Sequence, residues 1–239
     1  MLLTPDVDFA EGRVLLLDKP LYWTSFDLVS KVKNIIRFAY GIKRIRVGHA
    51  GTLDPLATGL MIVCTGKATK KIPVFQNLDK EYVARLKLGA TRPSFDCETE
   101  IDKTYDTKHL TDALIYNVVK SFEGQSMQIP PVFSAVNIKG KRAYELARKG
   151  KEVQLQAKAI NINTIDIISC TIPDLVIKVK CSKGTYIRAL ARDIGEKLAC
   201  GAYLVTLQRT AIGSFFIDKA INISELEEFC KIFGTKASM

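Results

Sequence analysis

Val14-Leu15-Leu16-Leu17 is an unbroken apolar run that ends at Asp18-Lys19-Pro20, the pattern of a buried strand stopped by a proline. A helix is expected next. Thr24 with Asp27 makes an N-terminal capping pattern, and Phe26, Val29, Val32 and Ile36 recur at nearly helical spacing on one face. Leu60-Met61-Ile62-Val63-Cys64 is too short for a typical helix and fits a central strand, and residues 67–79 read as helical with a break near Pro73. From Glu81 to Gly89 the chain alternates, with Tyr82, Ala84, Leu86 and Leu88 on one face.

Further on, a helix is expected over Thr111–Phe122, and Pro130-Pro131 stops any helix there. Leu175 to Cys181 alternates again and runs through Ser182-Lys183-Gly184 into a helix carrying Ile187, Leu190, Ala191, Ile194 and Leu198, with Arg188 and Arg192 off that stripe. Strands and helices mix without the regular alternation of a doubly wound fold. The expected class is α+β with a mixed, mostly antiparallel sheet flanked by helices.

Composition narrows the partners. The 239 residues are 47% hydrophobic, enough for a sizeable core, and carry 35 Lys and Arg against 25 Asp and Glu, a formal charge of +10. An acidic partner is indicated, with nucleic acid first. The charge is clustered: Lys31, Lys33, Arg37, Lys43, Arg44 and Arg46 fall together with no acidic residue among them. A second group is Lys139, Lys141, Arg142, Arg148, Lys149 and Lys151, and a third is Lys178, Lys180, Lys183, Arg188 and Arg192. The N-terminus has neither a basic n-region nor a long apolar stretch, so a cytoplasmic location is expected. Six scattered cysteines without a Cys-x-x-Cys pair read as free, mostly buried thiols. With only His49 and His109 beside them, no metal site is expected.

The chemistry concentrates at Gly48 to Gly59, Gly-His-Ala-Gly-Thr-Leu-Asp-Pro-Leu-Ala-Thr-Gly. Pro55 drives Asp54 out of the helical region, so the carboxylate is carried on a loop. Asp before Pro is also an ordinary turn starter. Several alternatives fail on their own residues. Gly66-Lys67 lacks the earlier glycine and the following Ser/Thr of a phosphate loop, His49 lacks the His-x-Glu of a zinc deaminase, and neither histidine lies near a Gly-x-Ser-x-Gly elbow. What remains is a lone loop carboxylate, nucleophile or base, steered by an arginine; Arg188 is the best placed by sequence. A phosphate contact or a surface ion pair is an equal reading of that arginine. Tyr82 and Tyr186 could each stack on a base, although an inward Tyr on a strand is more often core. His49, beside glycines on a polar loop, suits a contact role as well as a solvated one.

These residues resemble the bacterial tRNA pseudouridine synthase B (TruB) family. The resemblance is carried by Leu17-Asp18-Lys19-Pro20, by Gly48 to Gly59, by Asp79-Lys80-Glu81-Tyr82, by Pro130-Pro131-Val132-Phe133-Ser134-Ala135 and by Ser182-Lys183-Gly184-Thr185-Tyr186-Ile187-Arg188. Order and spacing match from about residue 13 to residue 212. It implies a pseudouridine synthase fold with an inserted RNA-clamping thumb, and isomerisation of uridine 55 in the T-loop of tRNA without any cofactor. By the same resemblance Asp54 is the catalytic carboxylate, Tyr82 contacts the flipped base and sugar, and Arg188 pairs with Asp54. His49 takes the space that the base vacates, and Tyr186 and Leu207 line the uridine pocket.

The implied organisation is a catalytic domain over 1–212, with the thumb at about 130–151, and a short extension over 213–239. That extension has room for a strand near Ser214–Ile217 and a helix near Ser224–Phe233, not for the complete PUA-like domain of longer relatives. The expected partner is the T stem-loop of tRNA, bound by a monomer with no membrane association. A guide-RNA-dependent relative of the archaeal and eukaryotic type shares Gly-Thr-Leu-Asp-Pro, but Leu56-Ala57-Thr58 and the short C-terminal segment favour the stand-alone bacterial kind. A non-catalytic tRNA-folding chaperone is the reading from another class; the presence of Asp54, Tyr82 and Arg188 argues against it.

Overall fold

The computed structural model describes residues 4, 7–134, 137–138, 141–142 and 155–234. The chain is α+β with a mostly antiparallel sheet, and two isolated parallel bridges join Leu17 with Ile221 and Asp96 with Leu204. It divides into two compact units, residues Met1–Tyr82 with Gln208–Met239, and residues Val83–Leu207. No helix among the described residues is long and apolar enough to cross a membrane.

The first unit opens with β1 (Val14–Lys19), the expected apolar run extended by two residues, and the capped helix α1 (Ser25–Tyr40). The Thr24–Asp27 capping box is complete in both directions, and Gly41 ends the helix in the left-handed conformation. The inward face of α1 differs from the expected one. Ser25, Leu28, Val32 and Ile36 are buried while Phe26 is 75% exposed. The cap fixes where the helix begins, and that phase points Ser25 inward and Phe26 out. Next come β2 (Val47–His49) and β3 (Ala57–Thr65); β3 pairs with both β1 and β2. Residues 66–71 form a 3-10 turn and α2 (Ile72–Asn77) follows, with Pro73 in its first turn. Proline therefore opens this helix instead of breaking one, since its missing N–H is an orphan donor there.

β4 (Lys80–Leu88) passes from the first unit into the second, and its alternation holds: Tyr82, Ala84, Leu86 and Leu88 are buried. The second unit continues with the short pair β5 (Ala90–Thr91) and β6 (Lys103–Thr104), then α3 (Asp112–Lys120) and β7 (Gly124–Gln128). β8 (Asn137–Ile138) pairs antiparallel with β9 (Lys141–Arg142). This pair belongs to the expected thumb, most of which, like most of the second basic group, lies outside the described residues. β10 (Lys158–Thr171) pairs with β7 and with β11 (Asp174–Cys181), and α4 (Ile187–Lys197) buries Ile187, Leu190, Ala191 and Ile194 as expected.

β12 (Ala202–Ile212) returns the chain to the first unit, where β13 (Phe215–Phe216) pairs with its end. The last helix, α5 (Ile223–Gly234), lies against α1: Lys31 pairs with Glu227, and a Cβ at Gly234 would stand 2.5 Å from the Ala39 carbonyl oxygen. The cysteines are free; Cys64, Cys181, Cys200 and Cys230 are buried, Cys170 is half-buried and Cys97 is exposed.

Candidate active site

In the first unit, β2 holds its register on β3 through His49 opposite Val63, and the Ala50 amide still donates to the Ile62 carbonyl at 2.9 Å. The chain then leaves the ladder at Gly51, whose φ of 127° is open to glycine but strained for other residues. The Ala57 amide donates to the Asp54 carbonyl at 3.0 Å and the Tyr22 amide donates to that of Pro55 at 2.8 Å. The backbone around Asp54 is thus a pinned turn, and its half-buried carboxylate sits at the head of β3.

Two buried side chains fix this loop from beneath. The Ser25 hydroxyl donates to the Leu53 carbonyl at 3.0 Å and accepts from the Leu53 amide at 2.8 Å. Arg209, 1% exposed, donates through Nε to Leu60 O at 2.7 Å and through its two terminal nitrogens to Thr52 O at 3.4 Å and Gly51 O at 3.2 Å. One planar guanidinium therefore holds carbonyls on both sides of Asp54, a geometry that lysine's single ammonium cannot reproduce. Gly59 lets β3 approach the same residue: its φ is 108°, and an added Cβ would lie 2.4 Å from Arg209 O.

Lys19 is a further buried cation of this unit. It is wholly inaccessible, and its ammonium donates to Pro20 O at 2.9 Å and Trp23 O at 2.7 Å. Burial pulls its pKa down to about 8, the Asp54 carboxylate opposing that fall and the Arg209 charge adding to it. His49 is half-buried, and burial lowers its pKa, with the Gly51 backbone opposing and Arg209 reinforcing the shift. Its imidazole is consequently neutral at neutral pH. Tyr82 is 9% exposed near the start of β4. That start is anchored by buried Lys80, which donates to Gln76 O at 2.7 Å and Leu78 O at 2.6 Å and so caps the carbonyl end of α2, and by Glu81, which accepts from the Thr210 hydroxyl at 2.8 Å.

In the second unit, Tyr186 is the N-cap of α4, and Gln128 grips its backbone twice: Oε1 accepts from Tyr186 N at 2.8 Å and Nε2 donates to Tyr186 O at 3.1 Å. Arg188 follows within the first turn. It is 4% exposed, which corrects its assignment to a surface cluster. Its guanidinium donates to Phe133 O at 2.9 Å and Ser94 O at 3.3 Å and stands 3.5 Å from the Asp96 carboxylate, itself 5% exposed. Arg192, from the same group, pairs with Asp193 at 2.6 Å. The third basic group is therefore no continuous cationic surface. Asp96 is held by the left-handed turn at Phe95, φ 63°, and by the bridge to Leu204, three residues before buried Leu207 in β12. His109 has a structural place, with Nε2 at 2.9 Å from Leu198 O.

Sequence reasoning gathered Asp54, His49 and Tyr82, which fall in the first unit, and Tyr186, Arg188 and Leu207, which fall in the second. It missed Ser25, Arg209 and Asp96, and it quoted Lys19 only as part of a motif. The signal for Arg209 was there: alternation along β12 puts it on the same face as Leu207 and Ala211, both buried.

The fold is that of the pseudouridine synthases. Over 95% of this chain it superposes with a TM-score of 0.71 and 29% identity on a solved chain of a Cbf5-Nop10-Gar1 complex, of which it spans 56%. A chain from an H/ACA RNP bound to a substrate RNA containing 2′-deoxyuridine matches with a TM-score of 0.69 and 26% identity over 97% of this chain and 56% of that one. Residues 37–187 match the N-terminal domain of the TruB family pseudouridylate synthases, and residues 188–238 match the C-terminal domain of tRNA pseudouridylate synthase B. The chain belongs to the TruB family. It is 55% identical, over 93% of its own length and 95% of the relative's, to proteins named tRNA pseudouridine synthase B from Parabacteroides distasonis and Phocaeicola vulgatus. The protein of that name from Clostridium tetani is 44% identical over 88% of this chain and 71% of the relative.

Proposed function

We propose that the protein converts uridine 55 in the T-loop of tRNA to pseudouridine, with Asp54 as the catalytic carboxylate. The observation that carries this reading is the strapping of the Asp54 loop by Ser25 and Arg209, in a member of the TruB family whose relatives bear a tRNA pseudouridine synthase name. A loop that only turned the chain would not need a buried guanidinium spent on its carbonyls.

In the isomerisation the N1–C1′ bond of the nucleotide breaks, the base turns, a C5–C1′ bond forms, the C5 hydrogen leaves as a proton and N1 gains one. Atoms balance without redox chemistry, and no cofactor takes part. The base must leave the stack to react, at a cost of about a few kcal/mol. His49, neutral, fills the gap; Tyr82, Tyr186 and Leu207 contact the extruded uridine; Arg188 pairs with the Asp54 carboxylate. The enzyme acts as a monomer in the cytoplasm, on the T stem-loop and without a guide RNA.

Position is tested by incubating purified protein with an unmodified tRNA transcript and mapping pseudouridine by carbodiimide-dependent primer-extension stops. A single stop at residue 55, with whole tRNA and with the isolated T stem-loop, is the expected result. A stop elsewhere removes the positional assignment, and activity only in the presence of added guide RNA and partner proteins favours the guide-dependent reading.

A further inference from the structure

Five of the six residues of the first basic group form a concave surface with no counter-charge of its own. Lys33 and Arg37 lie one turn apart on α1, and the left-handed Gly41 turns the chain so that Lys43, Arg44 and Arg46 line the same cavity of about 410 Å³, with buried Ile45 among them. All five cations are exposed. Several other cations are neutralised locally: Lys31 on the same helix pairs with Glu227, Lys67 with Glu11, Lys120 with Glu123 and Asp166, and Arg85 and Lys87 share Asp174; what sets the five apart is that they line one hollow together. Among the described residues, no side chain of the five makes an ion pair or a hydrogen bond.

Like charges one helical turn apart repel, so the arrangement opposes folding unless an anion relieves it. The carbonyl end of α1 favours a cation in its last turn, which accounts for Arg37 and not for the other four. Arginine forks suit phosphate oxygens, and a hollow carrying several cations suits consecutive phosphates better than a single carboxylate. The position narrows the ligand further. Only Val47 and Gly48 lie between Arg46 and His49, about 10 Å of extended chain, so a strand of phosphates held here runs beside the Asp54 loop.

We infer that Lys33, Arg37, Lys43, Arg44 and Arg46 form a phosphate cradle for the RNA substrate's backbone, outside the nucleotide on which Asp54 acts. The inference rests on the proposed function and adds to it a defined site of RNA attachment in the first unit.

The test measures tRNA affinity against monovalent salt from about 50 to 200 mM. It compares wild type, a variant with all five cradle residues changed to Gln, and a control of equal net charge carrying Lys67→Gln, Arg85→Gln, Lys87→Gln, Lys120→Gln and Lys219→Gln. Each lost phosphate contact lowers the slope of log K against log salt by about 0.7 to 0.9. The cradle variant should therefore lose about two or more units of slope and roughly 10- to 100-fold in affinity at the lowest salt, with the control close to wild type. An unchanged slope in the cradle variant, or an equal loss in the control, overturns the cradle. If circular dichroism shows the five-fold variant misfolded, the triple variant Lys43→Gln/Arg44→Gln/Arg46→Gln decides by the same criteria. Release of tritium from C5-labelled tRNA by wild type is followed in parallel: its absence defeats the enzymatic reading, and the slopes still decide the cradle.

Discussion

Ser25 and Leu53, 28 positions apart, are joined by a reciprocal pair of hydrogen bonds through which the first residue of α1 holds the peptide immediately before Asp54. The same turn that caps the helix with Thr24 and Asp27 thereby positions the candidate catalytic loop. Ser25→Ala leaves a buried N–H and a buried C=O unpaired and should cost about 1–3 kcal/mol. It should also slow single-turnover pseudouridine formation while leaving tRNA affinity within about two-fold. Denaturant melts and single-turnover kinetics measure the two effects; an unaltered turnover rate would show that the clasp serves stability alone.

Arg209→Met keeps the bulk of the side chain but strips the Gly51, Thr52 and Leu60 carbonyls of their donor. A loss of about 3 kcal/mol or more is expected, with activity falling further than binding. Gly59→Ala should be at least as damaging, because its Cβ meets Arg209 O from a positive-φ backbone. Wild-type melting by either variant would contradict the strap.

Lys19 gives a pH signature with a definite sign. Its pKa is about 8 in the folded chain against 10.5 in the unfolded one, so between those values the unfolded state binds the additional proton. Stability contributed by this residue is therefore lowest below pH 8 and rises as the pH climbs from about 8 to 10.5. Unfolding free energies of wild type and Lys19→Met, measured across that window, should converge or cross in wild type's favour as pH increases. Parallel curves would mean that Lys19 is not desolvated.

Arg188 and Asp96 form a buried pair, and removing one partner of such a pair is costly. Asp96→Ala should destabilise the protein by about 3–5 kcal/mol. The double variant Asp96→Ala/Arg188→Met should lose less than the sum of the two single variants, since each single change removes the same contact. A double-mutant cycle with no coupling energy would refute the interaction.

The outline of the fold was legible because its signals are local. The Thr24–Asp27 box, the alternation from Tyr82 to Leu88 and the stripe from Ile187 to Ile194 each appear where the pattern put them. The inner face of α1 was misread because Phe26 outweighs Ser25 on any hydrophobicity count, whereas the Leu53 hydrogen bonds draw Ser25 inward. Asp54 was visible from its glycine and proline neighbours. Its support was not: Arg209 lies 155 positions away in sequence and Ser25 lies 29 away, and only the folded chain brings them to the loop. Arg188 was read both as a member of a basic group and as the arginine that steers Asp54, since a sequence gives its charge but not the Ser94, Phe133 and Asp96 oxygens that accompany its burial.

Asp54 remains the centre of the account, and tritium release tests it most directly. Protein and unmodified tRNA labelled with tritium at uridine C5 should release label in step with pseudouridine formation, without added cofactor or guide RNA. Asp54→Asn should bind the tRNA and release none above background. Release by the Asn variant at a rate near that of wild type would contradict the catalytic assignment of this carboxylate.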